Sequence, residues 1–237
     1  SIVTWYNHMT TIFRMTYIVL ILSVLIGMVI VFGLKPSNKT IQLLLAFSGA
    51  YLLSITILHL FPEVYTTENS NIGLYILIGL LLQLILDFFS KGAEHGHIHM
   101  QEGIAFPWAL FISLGIHAFM EGIPLANNHH HDHLLWAIVI HKIPIAIILA
   151  TFFVKSQISK KYAILFLVIF SLMSPLGSLA GENFQILVTY KTEITAIIIG
   201  VFLHISTIIL FETSKDHKFN LLKFIAILVG MVVAFLA

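Results

Sequence analysis

Hydrophobic residues in this chain fall in long unbroken runs, not in the alternating or three-to-four spacing of soluble strands and helices. Eight runs stand out, at 16–34, 40–61, 72–90, 106–127, 134–154, 162–182, 194–212 and 219–237. Most are about 20 residues long, the length an α-helix needs to cross a hydrocarbon core of about 30 Å. Barrel strands would be about half that length and would alternate in polarity. The connections are short and polar, for example KPSNK, PEVYTTENSN, KGAEHGHIHMQEG, NHHHDH, KSQISKK and SKDHK. None is long enough to separate folding units. The pattern therefore predicts an all-α membrane protein with eight transmembrane helices, forming a single transmembrane domain over 1–237.

Composition narrows the function classes. The chain is 59% hydrophobic and only 10% charged, against about 25% charged in soluble domains. A formal net charge of +1 provides no field for nucleic acid, so the expected partners are the lipid bilayer and small solutes. There are no cysteines, which removes disulfides and thiolate metal sites. Lysine placement sets the expected orientation. Lys35, Lys39, Lys91, Lys155, Lys160, Lys161, Lys215, Lys218 and Lys223 fall on one side, and only Arg14 and Lys191 on the other. Positively charged loops stay in the cytoplasm. The expectation is a multi-pass protein of the cell (inner) membrane with both termini outside the cytoplasm.

The second and seventh runs resemble each other. AYLLSITILHLFPE (50–63) aligns with GVFLHISTIILFET (200–213), matching Leu53, Ile55, Leu60 and Phe61 to Leu203, Ile205, Leu210 and Phe211. The two runs cross in opposite senses, as an inverted repeat of three spans would require. Spans 1–3 and 6–8 would then surround a central pair, spans 4 and 5.

That central pair carries the chemistry. Span 4 reads IHAFMEGIPLA, with His117 and Glu121; span 5 reads IVIHKIPIAIILA, with His141 and Lys142. Ionisable groups at bilayer depth are costly and usually functional. His117 and Glu121 are four residues apart, so a helix puts them on one face. An imidazole and a carboxylate on one face form two ligands of a transition-metal site, and His141 supplies a third. Zinc takes such N and O ligands at about 2.0–2.2 Å, about four in all. The plainer reading of either histidine alone is an interhelical hydrogen bond. Lys142 either snorkels toward an interface or provides a fixed positive charge beside Glu121. Pro124 and Pro144 loosen both helices near the site.

These residues resemble the signatures of the ZIP (Zrt-, Irt-like) metal transporters. HAFMEGIPLA is similar to the span-4 motif H-N-x-x-[DE]-G, and HKIPIA to the span-5 motif [HQ]-[ED]-I-P-E. FSGAYLLSITILHLFPE resembles the second span with its HLLPE end, SPLGSLAG the E-P-L-G of the sixth, and GVFLHISTIILF the G-T-F-L-Y of the seventh. The resemblance spans about 40–220 and keeps order and spacing. It implies an eight-span fold that imports zinc, iron(II) or related ions (manganese and cadmium among them) into the cytoplasm. The site is at the midplane and in many members holds two metals. Dimers are common in the family, so a homodimer is a possible partner state. His117, Glu121 and His141 fall on ligands of the first metal position. Ala118, Lys142 and Ser174 replace the asparagine, acid and glutamate of the second. A single-metal site follows, with the Lys142 ammonium in the place of the second ion. Ile145 replaces a further span-5 glutamate and weakens the first position.

Other histidines fall on a plausible route: His95, His97 and His99 in one loop, and His129 to His133 in another. His59 and Glu63 end span 2, and His204 and Glu212 lie on span 7; their plainer reading is capping and packing. Asp87 and Glu182 are expected at interfaces. The expected function is divalent-metal transport, most simply of zinc, with no catalytic cofactor and no enzymatic activity. A zinc-dependent intramembrane hydrolase with Glu121 as general base is the different-class alternative, although no H-E-x-x-H pair is present. A non-transporting metal sensor is the third.

Overall fold

The structure is a computed structural model. It describes residues 2–66, 71–90, 107–126, 132–156, 158–211 and 220–237, with side chains from Met15 onward. Regular structure among the described residues is helical throughout. The helices are α1 (Ile2–Leu34), α2 (Asn38–Ile55), α3 (Phe61–Tyr65), α4 (Ile72–Ser90), α5 (Trp108–Gly122), α6 (Asp132–Lys155), α7 (Lys160–Ser171), α8 (Met173–Asn183), α9 (Gln185–Thr189), α10 (Lys191–Phe211) and α11 (Leu221–Leu236). Seven helical segments among the described residues are long and apolar enough to cross a membrane. α11 is apolar but has 16 residues, about 24 Å at 1.5 Å per residue, short of a hydrocarbon core of about 30 Å.

Three runs depart from simple helices, each for a local reason. α1 begins at Ile2, well before the expected 16, because residues 2–15 contain no proline or glycine to stop it. The second run is not one α-helix. α2 passes into a π-helical turn at Thr56–Leu60 and then into α3. Pro62 cannot donate to the carbonyl four residues back. The Ser54 and Thr56 hydroxyls donate to the Ala50 and Leu52 carbonyls at 2.8 and 2.7 Å, a pattern that bends helices. The sixth run breaks at Leu172, three residues before Pro175, and continues as the separate helix α8.

The helices pack in two sets. In one set α1 packs on α6, α7 and α8, and α8 on α5 and α7; in the other α10 packs on α2, α3 and α4, and α11 on α2; the sets meet chiefly where α2 runs along α6 and α4 along α5. α6 is the most buried of the spanning helices. Apolar surface elsewhere faces outward, as lipid contact requires; Trp108 and Trp136, for example, are exposed.

Without a hydrophobic force between helices in lipid, association depends on close packing over small residues. α5 and α8 cross at Gly122 and Gly177. A Cβ at Gly122 would overlap the Ser174 carbonyl oxygen, and one at Gly177 the Phe119 carbonyl oxygen. This contact brings Ser174 against α5. Gly122→Ala is expected to cost about 1–3 kcal/mol by overpacking and to lower the unfolding temperature of the detergent-purified protein. Gly33→Ala, where a Cβ meets nothing within 4 Å, is expected to leave it unchanged.

Candidate metal centre

The local sequence explains why these helices carry charge at depth. α5 starts after Pro107, whose ring suits a helix start, and ends at Gly122 in a 3-10 turn, Ile123–Leu125, containing Pro124. His117 and Glu121 occupy its last turns. α6 continues through Pro144, although that proline cannot donate to the Ile140 carbonyl. His141 and Lys142 lie in the turn just before it. Pro175 opens α8, which puts Ser174 in the first turn facing α5.

The five polar side chains converge and are shut off from the surface. Exposure is 2% for His117, 1% for Glu121, 1% for His141, 2% for Lys142 and none for Ser174. Glu121 is the hub. Its Oε1 accepts hydrogen bonds from Lys142 Nζ and from Ser174 Oγ at 2.9 Å. The same serine hydroxyl lies 2.6 Å from the Ala118 carbonyl. The other oxygen, Oε2, faces His117 Nε2 at 3.4 Å. The Lys142 ammonium also sits 5.3 Å from the centre of the Phe170 ring on α7, a position a ring face favours. One carboxylate oxygen therefore serves the ammonium and the other serves the imidazole.

His117 and His141 have ring centres 6.2 Å apart at 86°. A zinc ion at 2.0–2.1 Å from an imidazole nitrogen lies about 3 Å from that ring's centre, so two rings at this separation are within reach of one ion. His141 Nδ1 is 3.5 Å from Ser48 Oγ on α2. Among the described residues, no three His, Asp or Glu side chains are close enough to hold a metal as they stand. His117 and Glu121 already face each other, whereas His141 is turned toward α2. Ile145, one turn beyond His141, packs in the apolar core at 2% exposure and offers no ligand.

Other sequence candidates are placed elsewhere. His204 on α10 faces Asp87 on α4, Nε2 to Oδ2 3.9 Å, away from the centre. Glu182 accepts from Tyr17 on α1 at 3.0 Å, tying α8 to α1. His59 and His133 stack on each other. His95, His97, His99, His129, His130, His131 and Glu212 lie outside the described residues. Ser48 and Phe170 were not foreseen as neighbours of the site. No spacing rule distinguishes one serine or phenylalanine from the many others in such helices.

A bundle of helices long and apolar enough to cross a membrane, with ionisable side chains buried inside it, defines an integral membrane protein. The sequence model described as "ZIP Zinc transporter" matches residues 90–237, and the chain belongs to that family. It is thus a multi-pass membrane transporter of zinc and related divalent ions, not an enzyme. The match covers α5 to α11 and hence every residue of the centre except Ser48. No curated protein matches the chain.

Breaking a buried ion pair from one side strands the other charge, at about 3–5 kcal/mol. Lys142→Met is expected to destabilise the chelator-treated protein strongly. The double variant Lys142→Met, Glu121→Gln is expected to recover part of that loss, which a double-mutant cycle of thermal unfolding would read.

Proposed function

We propose that the chain imports a divalent transition metal, zinc in the first instance, into the cytoplasm through a single-metal site formed by His117, Glu121 and His141. The observation that carries this reading is the division of the Glu121 carboxylate. Its Oε1 is engaged by Lys142 and Ser174, while Oε2 and His117 face each other. An ion arriving between His117 and His141 would meet Oε2 and need not displace the lysine. The ammonium stands where a second cation would bind the same carboxylate, so its fixed charge substitutes for that ion. With Ile145 contributing no ligand, water would complete the coordination, which suits an ion that must leave again.

The expected topology is eight spans with both termini outside, α11 being the eighth. Packing supports an inverted repeat of spans 1–3 and 6–8. α2 packs on α11 as α10 packs on α4, and α1 packs on α6 as α8 packs on α5. Exchanging the two halves interchanges these pairs. Transport would proceed by alternating access, with α5 and α6 carrying the ion past α2 and α4. Histidine and carboxylate suit Zn²⁺, Fe²⁺, Mn²⁺ and Cd²⁺ alike, so raw affinity does not set selectivity.

In liposomes, wild-type protein is expected to take up radioactive zinc and His117→Ala to take up none above background. Imidazoles ligate only when neutral, so wild-type uptake is also expected to fall as external pH drops through the histidine range. Equal flux in both proteins would remove His117 from the site. No flux in either would favour a metal sensor over a carrier.

A further inference from the structure

Two polar side chains meet where the packing sets join. Ser48 on α2 and His141 on α6 are each 1% exposed, and Ser48 Oγ lies 3.5 Å from His141 Nδ1. That is long for a hydrogen bond, and its meaning depends on where the single hydroxyl proton goes. Ser48 Oγ also lies 3.1 Å from the Leu45 carbonyl oxygen, one turn back on α2. A carbonyl can only accept, so the shorter contact takes the proton. The lone pairs of Oγ are then left for the ring, and Nδ1 is the nitrogen that carries hydrogen. A neutral imidazole has one N–H, so Nε2 of His141 holds the lone pair.

That is the nitrogen a metal needs. With Nδ1 against Ser48, Nε2 lies on the side of the ring away from that serine. The His141 and His117 ring planes stand at 86°. Perpendicular planes intersect along a line, so one ion can lie in the plane of both rings, as lone-pair donation requires. A ligating histidine almost always donates its other ring N–H to a nearby acceptor, which fixes tautomer and orientation and raises the basicity of the ligating nitrogen. Back-bonding to Leu45 satisfies the serine by itself, so its approach to Nδ1 is not needed to bury the hydroxyl.

We propose that Ser48 is a positioning residue for the metal centre: it accepts the Nδ1–H of His141, holds the ring in that tautomer and so presents Nε2 to the ion. The inference rests on the reading of His141 as a ligand and deepens it. Ser48 and His141 belong to different packing sets, so the presentation of this ligand depends on the register of α2 against α6.

The tautomer can be read without transport. Nitrogen NMR of the histidine-labelled, chelator-treated protein, above the histidine titration range, distinguishes the two ring nitrogens. The His141 signals are identified by their loss in His141→Gln. Wild type and Ser48→Thr, which keeps the hydroxyl, are expected to show Nδ1–H, and Ser48→Ala to move toward Nε2–H. An Nε2–H tautomer in wild type, or a His141 spectrum unchanged by Ser48→Ala, would overturn the proposal; the carrier reading would still stand if His117→Ala abolishes uptake. In liposomes Ser48→Ala is expected to raise the KM for zinc about tenfold, and Ser48→Thr to restore it. A changed tautomer with unchanged KM would overturn the positioning role and remove His141 from the ligands. If wild type moves no zinc, the carrier reading fails, while a zinc-induced shift at His141 Nε2 that Ser48→Ala weakens would uphold the positioning role.

Discussion

The buried pair of Lys142 and Glu121 is the interaction on which the rest of the structure depends. A carboxylate and an ammonium each cost several kcal/mol to bring out of water singly, and lipid surrounds the bundle. Both are nearly inaccessible, so neither is tolerable unless the other is held against it. Holding them together requires α5 and α6 to meet a third helix at a fixed height. Ser174 on α8 donates to the same oxygen as Lys142, and Phe170 on α7 offers its ring face to the ammonium. The close crossing of α5 and α8 at Gly122 and Gly177 lets the serine reach. Four helices are thereby set by the needs of one charge pair.

The same constraint shapes the chemistry. Occupied at one oxygen, Glu121 presents the other to His117. One oxygen of the carboxylate is thus paired with a cation built into the chain. On the single-metal proposal, this permanent positive group lowers the charge of the site and leaves room for one divalent ion. Weak, incomplete coordination is what a carrier needs at its midplane, since an ion bound by a full cage would not be released.

Much of this was legible in the sequence because lipid makes the rules strict. Continuous apolar runs located the seven spanning segments among the described residues, the eighth run giving the shorter α11, and the four-residue spacing of His117 and Glu121 predicted their shared face. The replacements at 118, 142 and 174, read against the family signatures, foretold an ammonium near the carboxylate. What was not legible depends on tertiary contact. Proline positions did not distinguish the uninterrupted passage of α6 through Pro144 from the break before Pro175, because neighbouring helices decide whether a freed carbonyl is tolerated. The π-helical turn at Thr56–Leu60 arises from hydroxyl back-bonding as well as Pro62. The pairings of Asp87 with His204 and of Tyr17 with Glu182 join residues far apart in the chain, and periodicity carries no information about them.

The most direct measurement is anomalous diffraction from a crystal of the zinc-loaded protein, read at the centre between α5 and α6. The single-site reading requires one zinc peak there, ligated by His117, His141 and Glu121 Oε2, with Lys142 still on Oε1. Two zinc peaks sharing Glu121, with the Lys142 ammonium displaced, would contradict it.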